Sequence, residues 1–559
     1  MDEELIEEFR ELFDFDKAKK DVILSKIISD DIIVGKKIDI SDDVYKDTCI
    51  DNWAYNIPVL EGSKLLIKKL IKNPTNDIDI LLKRQKAFIE YDVDIEIIKE
   101  YEDDILWIYK ITEEINDNSS IEILFPSSFI FCYINYFEQL LDFYHLYKIY
   151  FIPSTSLLYP ISTFMAPYFY LKNYMKLDIT FTWYVGIIND LFMAFMKPSG
   201  NFKQDIIKFV TFILYVGVYL YNIYQTYEIA NFLHNTKYKL HEKMEGLVYF
   251  VKHSLHIIKH VDKDILDSFF SIEKIYDNLQ INNSMTDIYR IWKDEKLKTE
   301  LSALLKTIYG IDVIYSINNL LLSNDWSIPV YNKTETSLWD AKNPILDNNQ
   351  ISNPINLNKN IIITGPNAGG KTTYVKTILA NVILSQTLGI TYSLKSNMIL
   401  YDTINSFMRV SDELGSKSYF EAEAEYCLNM IKKANSINKD KKTGLFLMDE
   451  PMHSTPPIEG MATAYAVIEY LSKIQGISLI ITTHFHQLVK LEELYPDNFI
   501  NLSVDAIPIK NNYYFPYKIR NGHSYLCIAI ELLDIKDFPK EIINNAIKMK
   551  NKICYDFNK

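Results

Sequence analysis

The chain has 559 residues, 48% hydrophobic and 24% charged, which is enough for roughly three or four domains with cores of their own. Its formal net charge of −14 removes any general electrostatic pull toward nucleic acid, so a DNA contact would need a local basic patch or an enclosing shape. The five cysteines (Cys49, Cys132, Cys427, Cys527 and Cys554) have no CxxC or Cys/His spacing, which argues against a zinc framework and fits free thiols in a reducing compartment.

The acidic, amphipathic opening "MDEELIEEFRELF" is neither a secretory nor a transit peptide. From there to about residue 340 the chain reads mainly as helix. "DEELIEEFRELF", "ILLKRQKAFIEY" and "LKTELSALLKTIYGIDVIYSINNLLL" each place apolar residues at helical spacing. The middle is unusual. Residues 149–171 and 209–227 carry no charge, and each is about the length of a bilayer span. Pro153, Pro160 and Pro167 weaken the first as one straight helix, and five tyrosines dilute the second. A membrane-inserted hairpin and a buried or partner-docking hairpin are both open on these grounds.

After residue 340 short apolar runs alternate with helices. "NIIITG" (360–365), "GLFLMDE" (444–450) and "ISLIITTH" (477–484) predict buried strands of a parallel sheet, with helices over 371–387, 458–475 and 485–494. The fold expected is therefore an α/β domain with a mostly parallel sheet, preceded by a mainly α-helical lever or core region. Four regions follow: 1–95, an N-terminal helical segment; 96–235, with the apolar hairpin; 236–335, the rest of the helical core; and 336–559, the α/β domain.

Gly365-Pro366-Asn367-Ala368-Gly369-Gly370-Lys371-Thr372 fits the G-x-x-x-x-G-K-[ST] pattern between a strand and a helix. Its glycines let backbone N–H groups turn toward phosphate oxygens, Lys371 reaches the β and γ phosphates, and the Thr372 hydroxyl ligates Mg²⁺. The helix from Lys371 points its positive dipole end at the same place. A second apolar strand ends in Asp449-Glu450, an Mg²⁺ ligand and a group to polarise the attacking water. A third leads to His484, suited to bond the γ-phosphate or the water, with a plain capping histidine as the alternative.

"LFLMDEP" resembles the ABC family, but no LSGGQ-like segment precedes it, and a transporter half needs more spans than this chain offers. The closer resemblance is to the MutS family of DNA mismatch-repair ATPases. It is carried by "ITGPNAGGKTTYVKTILANVILSQTLG", by "RVSDELGSKSYFEAEAEYCLNMI" with Ser418, Phe420 and Glu423, and by "LFLMDE" and "TTHFHQL". "LWDAKNPIL" upstream and "YKIRNGHSYLCIAIELLDIKDFPKEIINNAI" at the C-terminus extend it. The resemblance is detailed over the last domain and thinner from about residue 50. It implies an ABC-like P-loop ATPase domain with C-terminal dimerisation helices, ATP and Mg²⁺ as cofactors, and a homodimer or heterodimer with two composite sites. Gly365, Pro366, Asn367, Gly369, Gly370, Lys371, Thr372 and Thr373 would hold the nucleotide, and Thr372 and Asp449 the Mg²⁺. Glu450, His484 and Lys371 would be catalytic, and Ser418 would act across the dimer interface. For "SYFEAEAEY" itself a solvated helix face is the alternative.

The resemblance also sets expectations this sequence does not meet. The helical core begins within about 50–70 residues, too few to precede it with the family's mismatch-reading domain, so direct mismatch reading is not expected. Two glycines usual after Glu450 are Met452 and Ser454 here, among three prolines. The mid-chain region where the family grips DNA holds the uncharged stretches, which lack the Lys and Arg of a phosphate-binding surface. The aromatic expected before "NPINL" to stack on adenine is missing from "DNNQIS". The expected function is ATP-driven movement of helical arms in DNA repair or recombination, on mismatched or branched DNA. A membrane-attached switch that does not handle DNA is the alternative. The expected location is intracellular: cytoplasm, nucleus or viral factory.

Overall fold

A computed structural model describes residues 15–87, 95–114, 124–129, 131–198, 200–272, 279–408, 419–454, 456–509, 512–524 and 529–557. The chain divides into two compact units. One comprises residues 1–27, 98–256 and 274–304, and the other residues 28–97, 257–273 and 305–559.

The second unit is built on a seven-stranded sheet. Thirteen strands occur among the described residues: β1 (Asp39–Ile40), β2 (Val330–Tyr331), β3 (Ser337–Ala341), β4 (Asn353–Asn356), β5 (Asn360–Thr364), β6 (Lys395–Met398), β7 (Thr403–Phe407), β8 (Gly444–Asp449), β9 (Ile477–Thr482), β10 (Phe499–Val504), β11 (Ile507–Ile509), β12 (Asn512–Tyr514) and β13 (Ile519–Asn521). The main sheet has the order β1-β7-β8-β9-β5-β10-β13, parallel except for β13 at one edge. β2-β6-β3-β4 form a smaller sheet, and β11-β12 a hairpin.

The central strands are apolar runs because both faces are covered. On one face, Phe446, Met448, Leu479 and Ile481 pack with Met430, Ala434 and Ile437 of helix Tyr419–Asp440 and with Ile468 and Leu471 of helix Pro457–Ser472. Helix Lys371–Thr387 follows β5 and is buried on nearly every side, so it lacks the polar stripe of a surface helix. Helices Asp42–Thr48 and Glu61–Ile71 touch it. Residues 28–97 thus belong to this unit, and β1 extends the sheet by pairing with β7.

In the first unit, helices Lys17–Ile27 and Glu102–Glu114 pack together, with Trp107 buried and Lys20 paired to Asp103 at 2.5 Å. From this body a helical arm extends. An outbound helical run covers 138–174, with π-helical turns at Tyr147–Phe151 and Tyr170–Tyr174 around helix Ile152–Phe169. Helix Phe181–Met196 follows, and the single helix Phe202–Ile258 returns. The returning helix is the one, among the described residues, long and apolar enough to cross a membrane.

Candidate nucleotide site

The strand order places β5 between β9 and β10, and the three strands nearest the site end on the same edge of the sheet. Ligand crevices in open parallel sheets form at such carboxyl edges. Between β5 and its helix, residues 365–370 make a tight loop in which Gly365, Ala368 and Gly370 have positive φ. Alternating backbone handedness of this kind turns successive N–H groups inward as an anion cradle. Gly365 is required twice over, since its φ is +136° and a Cβ there would meet the Val504 carbonyl oxygen at 2.4 Å. Gly370, with φ of +94°, leads directly into the helix and faces the Tyr517 ring.

A cleft of about 630 Å³ opens over this loop, lined by Pro366, Asn367, Gly370, Lys371, Thr372 and Thr373, and by Glu450. Gly365 and Gly369 sit against Val504 beneath it. The Lys371 ammonium donates to the carbonyls of Gly365 at 2.9 Å and Pro366 at 3.3 Å, which holds the side chain along the loop. It lies 3.8 Å from a Glu450 carboxylate oxygen. Burial pushes the Lys371 pKa down, and the nearby Glu450 and Asp449 carboxylates offset only part of that.

The acidic pair is positioned from two sides. The Thr372 hydroxyl donates to Asp449 Oδ2 at 2.8 Å, and the Thr482 hydroxyl donates to Asp449 Oδ1. The backbone N–H of Glu450 reaches the Thr482 carbonyl at 3.0 Å and its hydroxyl at 3.1 Å. Glu450 takes a left-handed backbone, φ +53°, which is strained for a residue with a Cβ. His484 Nε2 lies 2.6 Å from Glu450 Oε1. That hydrogen bond is the main reason the Glu450 carboxyl lies below the usual range. Burial opposes it, and Lys371 lowers it further by a smaller amount.

Phosphate loop, Lys371, Thr372, Asp449, Glu450 and His484 therefore converge. Ser418 lies outside the described residues. Thr482 enters the site as the group that orients both acids. The sequence carried it within "TTHFHQL" without marking its role. Tyr517 is the second addition. It lines the cleft, as do Leu346 and Ile351, and its carbonyl accepts from Asn353 Nδ2 at 2.9 Å. It comes from a segment far downstream of the place where an aromatic was expected.

The loop after Glu450 explains one departure in the sequence. Met452, where the resemblance leads one to expect glycine, has φ of +61° and is 2% exposed, a left-handed backbone that favours glycine. The methionine side chain instead plugs the core beneath the sheet. Ser454 donates its N–H at 3.3 Å, and its hydroxyl, to Glu423 Oε2. Buried Glu423, the acid of the Ser-x-Phe-x-x-Glu segment, thus ties that segment to the acidic loop.

Residues 361–554 match the family model described as MutS domain V. The chain is 29% identical over 285 residues to the DNA mismatch repair protein MutS of Clostridium botulinum (strain Alaska E43 / Type E3), covering 47% of this chain and 30% of the relative. It is 30% identical over 260 residues to the MutS of Clostridium perfringens, covering 44% and 28%. With the MutS of Finegoldia magna it shares 28% over 327 residues, covering 56% and 36%. The matches thus span about a third of the length of these relatives. The strands and loops that build the cleft thus lie in a region that matches MutS domain V, and this match together with the similarity to MutS proteins over about half of the chain supports a MutS-family protein.

Proposed function

We propose that the chain is an ATPase of the MutS type, in which ATP binding and hydrolysis drive a conformational change that serves DNA mismatch repair or recombination. The observation that carries this reading is the convergence of an anion cradle, a buried lysine and a histidine-bonded carboxylate on one cleft. The loop N–H groups and Lys371 would bind the phosphates. Glu450, held as a carboxylate, would take a proton from the water as it attacks the γ-phosphorus, while the bond to the β-phosphate oxygen breaks and ADP leaves. His484 would keep the carboxylate aimed.

The donor set suits Mg²⁺. Thr372 and Asp449 offer converging hard oxygens, and among the described residues no cluster of three or more His, Cys, Asp or Glu could hold a metal without phosphate and water. Bound there, Mg²⁺ would neutralise charge on the phosphates. Thr482 would fix the orientation of Asp449. Tyr517, Leu346 and Ile351 would border the base. Dimerisation follows the family resemblance, with Ser418 completing the site of a neighbouring subunit. A homodimer and a heterodimer with another MutS-like subunit fit equally, and DNA is the expected substrate of the movement.

Steady-state hydrolysis and nucleotide binding test the reading together. Glu450→Gln should lower hydrolysis by about 10²–10⁴-fold while keeping ATP bound. Lys371→Ala should lose binding as well. Wild-type hydrolysis in both variants would overturn the assignment.

A further inference from the structure

We propose that the helical arm of the first unit is inserted in a lipid bilayer, as a hairpin formed by residues 149–171 and 209–227. This rests on different observations from the nucleotide site, and either reading can fail without the other.

The first observation is exposure without a polar face. Along 149–171 only Tyr168 is buried, and along 209–227 no residue is. Consecutive residues Ile213, Leu214, Tyr215 and Val216 are all exposed, as are Val218 and Leu220. Successive helical residues turn by about 100°, so these point in every direction around the helix. Contact with a second copy or a protein partner would bury one stripe and leave the rest apolar in water. A helix apolar all round belongs inside a large core or a bilayer.

The second observation is register. Tyr219 of the returning helix bonds the Leu157 carbonyl at 3.0 Å, and Lys237 pairs with Asp142 at 2.7 Å nearer the body. Both contacts belong to one antiparallel alignment. It sets the two uncharged stretches side by side over almost their whole length. Their ends coincide as well: Lys148 and Glu228 flank the inner level, Lys172 and Lys208 the outer. At 1.5 Å per residue the stretches span about 28–34 Å, the thickness of a hydrocarbon core. Tyrosines gather at both levels, Tyr150, Tyr224 and Tyr227 at one and Tyr168 and Tyr170 at the other, where an interface favours rings with a polar tip.

The third observation concerns backbone polar groups, which hydrocarbon cannot hydrate. Pro160 and Pro167 each remove a donor from the ladder of the outbound leg, and tyrosines from the other helices bond carbonyls one residue along from those that lose it. Tyr219 bonds the carbonyl three residues before Pro160. Tyr184 bonds that of Phe164, three before Pro167, at 2.8 Å. The hydroxyls of Ser154, Thr155, Ser162, Thr163, Thr211 and Thr226 all donate to carbonyls of their own helix. Four hydroxyls of the outbound leg, the less apolar of the two, are thereby bonded inside it. Helix Phe181–Met196 packs against the outer parts of both legs through Tyr184 and through Phe192 on Phe212.

The full chain in isolated membranes from expressing cells is the material for the test. Most of it should resist alkaline carbonate extraction, and purified protein should float with phosphatidylcholine–phosphatidylglycerol vesicles. Leu214→Arg with Val218→Arg changes two exposed positions that break no internal packing. It should lower the membrane-bound fraction by roughly tenfold or more. A circular dichroism spectrum and melting curve unlike those of the wild type in detergent would disqualify the variant, and labelling then decides. Gly217 has open space around it, so Gly217→Cys is tolerated sterically. Its thiol should resist a membrane-impermeant maleimide until detergent is added. Complete carbonate release of the wild type, rapid labelling of that cysteine without detergent, or water-soluble dimers cross-linked through it would each overturn the proposal.

Discussion

His484 and Glu450 form a unit whose behaviour is set by which pull on the carboxyl is larger. The hydrogen bond from His484 lowers the Glu450 pKa more than burial raises it. In the proposed reaction Glu450 works as a carboxylate, so hydrolysis should fall as pH drops through its folded-state pKa. His484→Ala removes the largest lowering influence and leaves burial in place, and the pKa must rise. The acid limb of the kcat/KM profile should therefore move to higher pH, while His484→Gln, which retains a donor, should move it less. The stability linkage has the same sign. A depressed carboxyl adds stability above its unfolded pKa and loses it as pH falls through the folded value, so His484→Ala should also reduce the loss of stability in acid. An unmoved acid limb would separate His484 from the carboxylate. Met452 illustrates a second residue-scale balance. Met452→Gly would relieve about 1 kcal/mol of left-handed strain. It would also give up about 2–3 kcal/mol of buried side chain. The net expectation is a loss of about 1–2 kcal/mol in denaturant unfolding, although glycine is the family's usual residue there.

At the scale of elements, the phosphate-loop helix is held at both ends. Its N-terminus carries the cradle. Near its C-terminus the Thr387 carbonyl accepts from Arg84 at 2.6 Å, and Arg84 also donates to Val34 at 2.7 Å and Ser268 at 3.1 Å. The guanidinium is fully buried, lies 5.1 Å from the Phe269 ring, and has its pKa pushed down to about 10 by that burial. A cation at a helix C-terminus complements the dipole. Arg84→Met keeps the volume but leaves three carbonyls unpaired, and should destabilise the unit by about 3–5 kcal/mol, read as a lower urea midpoint. A change below about 1 kcal/mol would mean that water replaces the guanidinium. None of this was legible in "ILLKRQKAFIEY", where Arg84 reads as one charge on an amphipathic helix. The two-residue strand β1 escaped for a related reason: it is too short to show alternation and exists only because β7 offers an edge. The strands around the cleft were legible because burial on both faces makes them continuous apolar runs, and the loop because its chemistry needs glycine at fixed places. Thr482 and Tyr517 were not, since a threonine that aims an acid and an aromatic that borders a cleft look like any other until the chain is folded.

For the whole molecule the question is what the proposed movement acts on, and net charge constrains the answer. With 59 Lys and Arg against 73 Asp and Glu, the chain repels a polyanion unless its basic residues are gathered on one surface. A protein that neutralises many phosphates shows it in the salt dependence of binding, with a slope near −0.9 per phosphate contact on duplex DNA. The stretches 149–171 and 209–227 of the arm cannot supply such contacts, because they hold no lysine or arginine. If this chain engages DNA by shape, or through another subunit, its own affinity for duplex should change little with salt. We expect a slope shallower than about −3 and a dissociation constant weaker than ~1 μM at physiological ionic strength, with or without ATP. Fluorescence anisotropy on duplex, mismatched and branched DNA across a salt series measures both quantities. A slope of about −6 or steeper would require at least six phosphate contacts and hence a basic surface on the body of the protein. That outcome would return DNA gripping to this chain even with its arm in a membrane. A shallow slope would assign the gripping to a partner subunit, leaving this one to supply the nucleotide-driven movement.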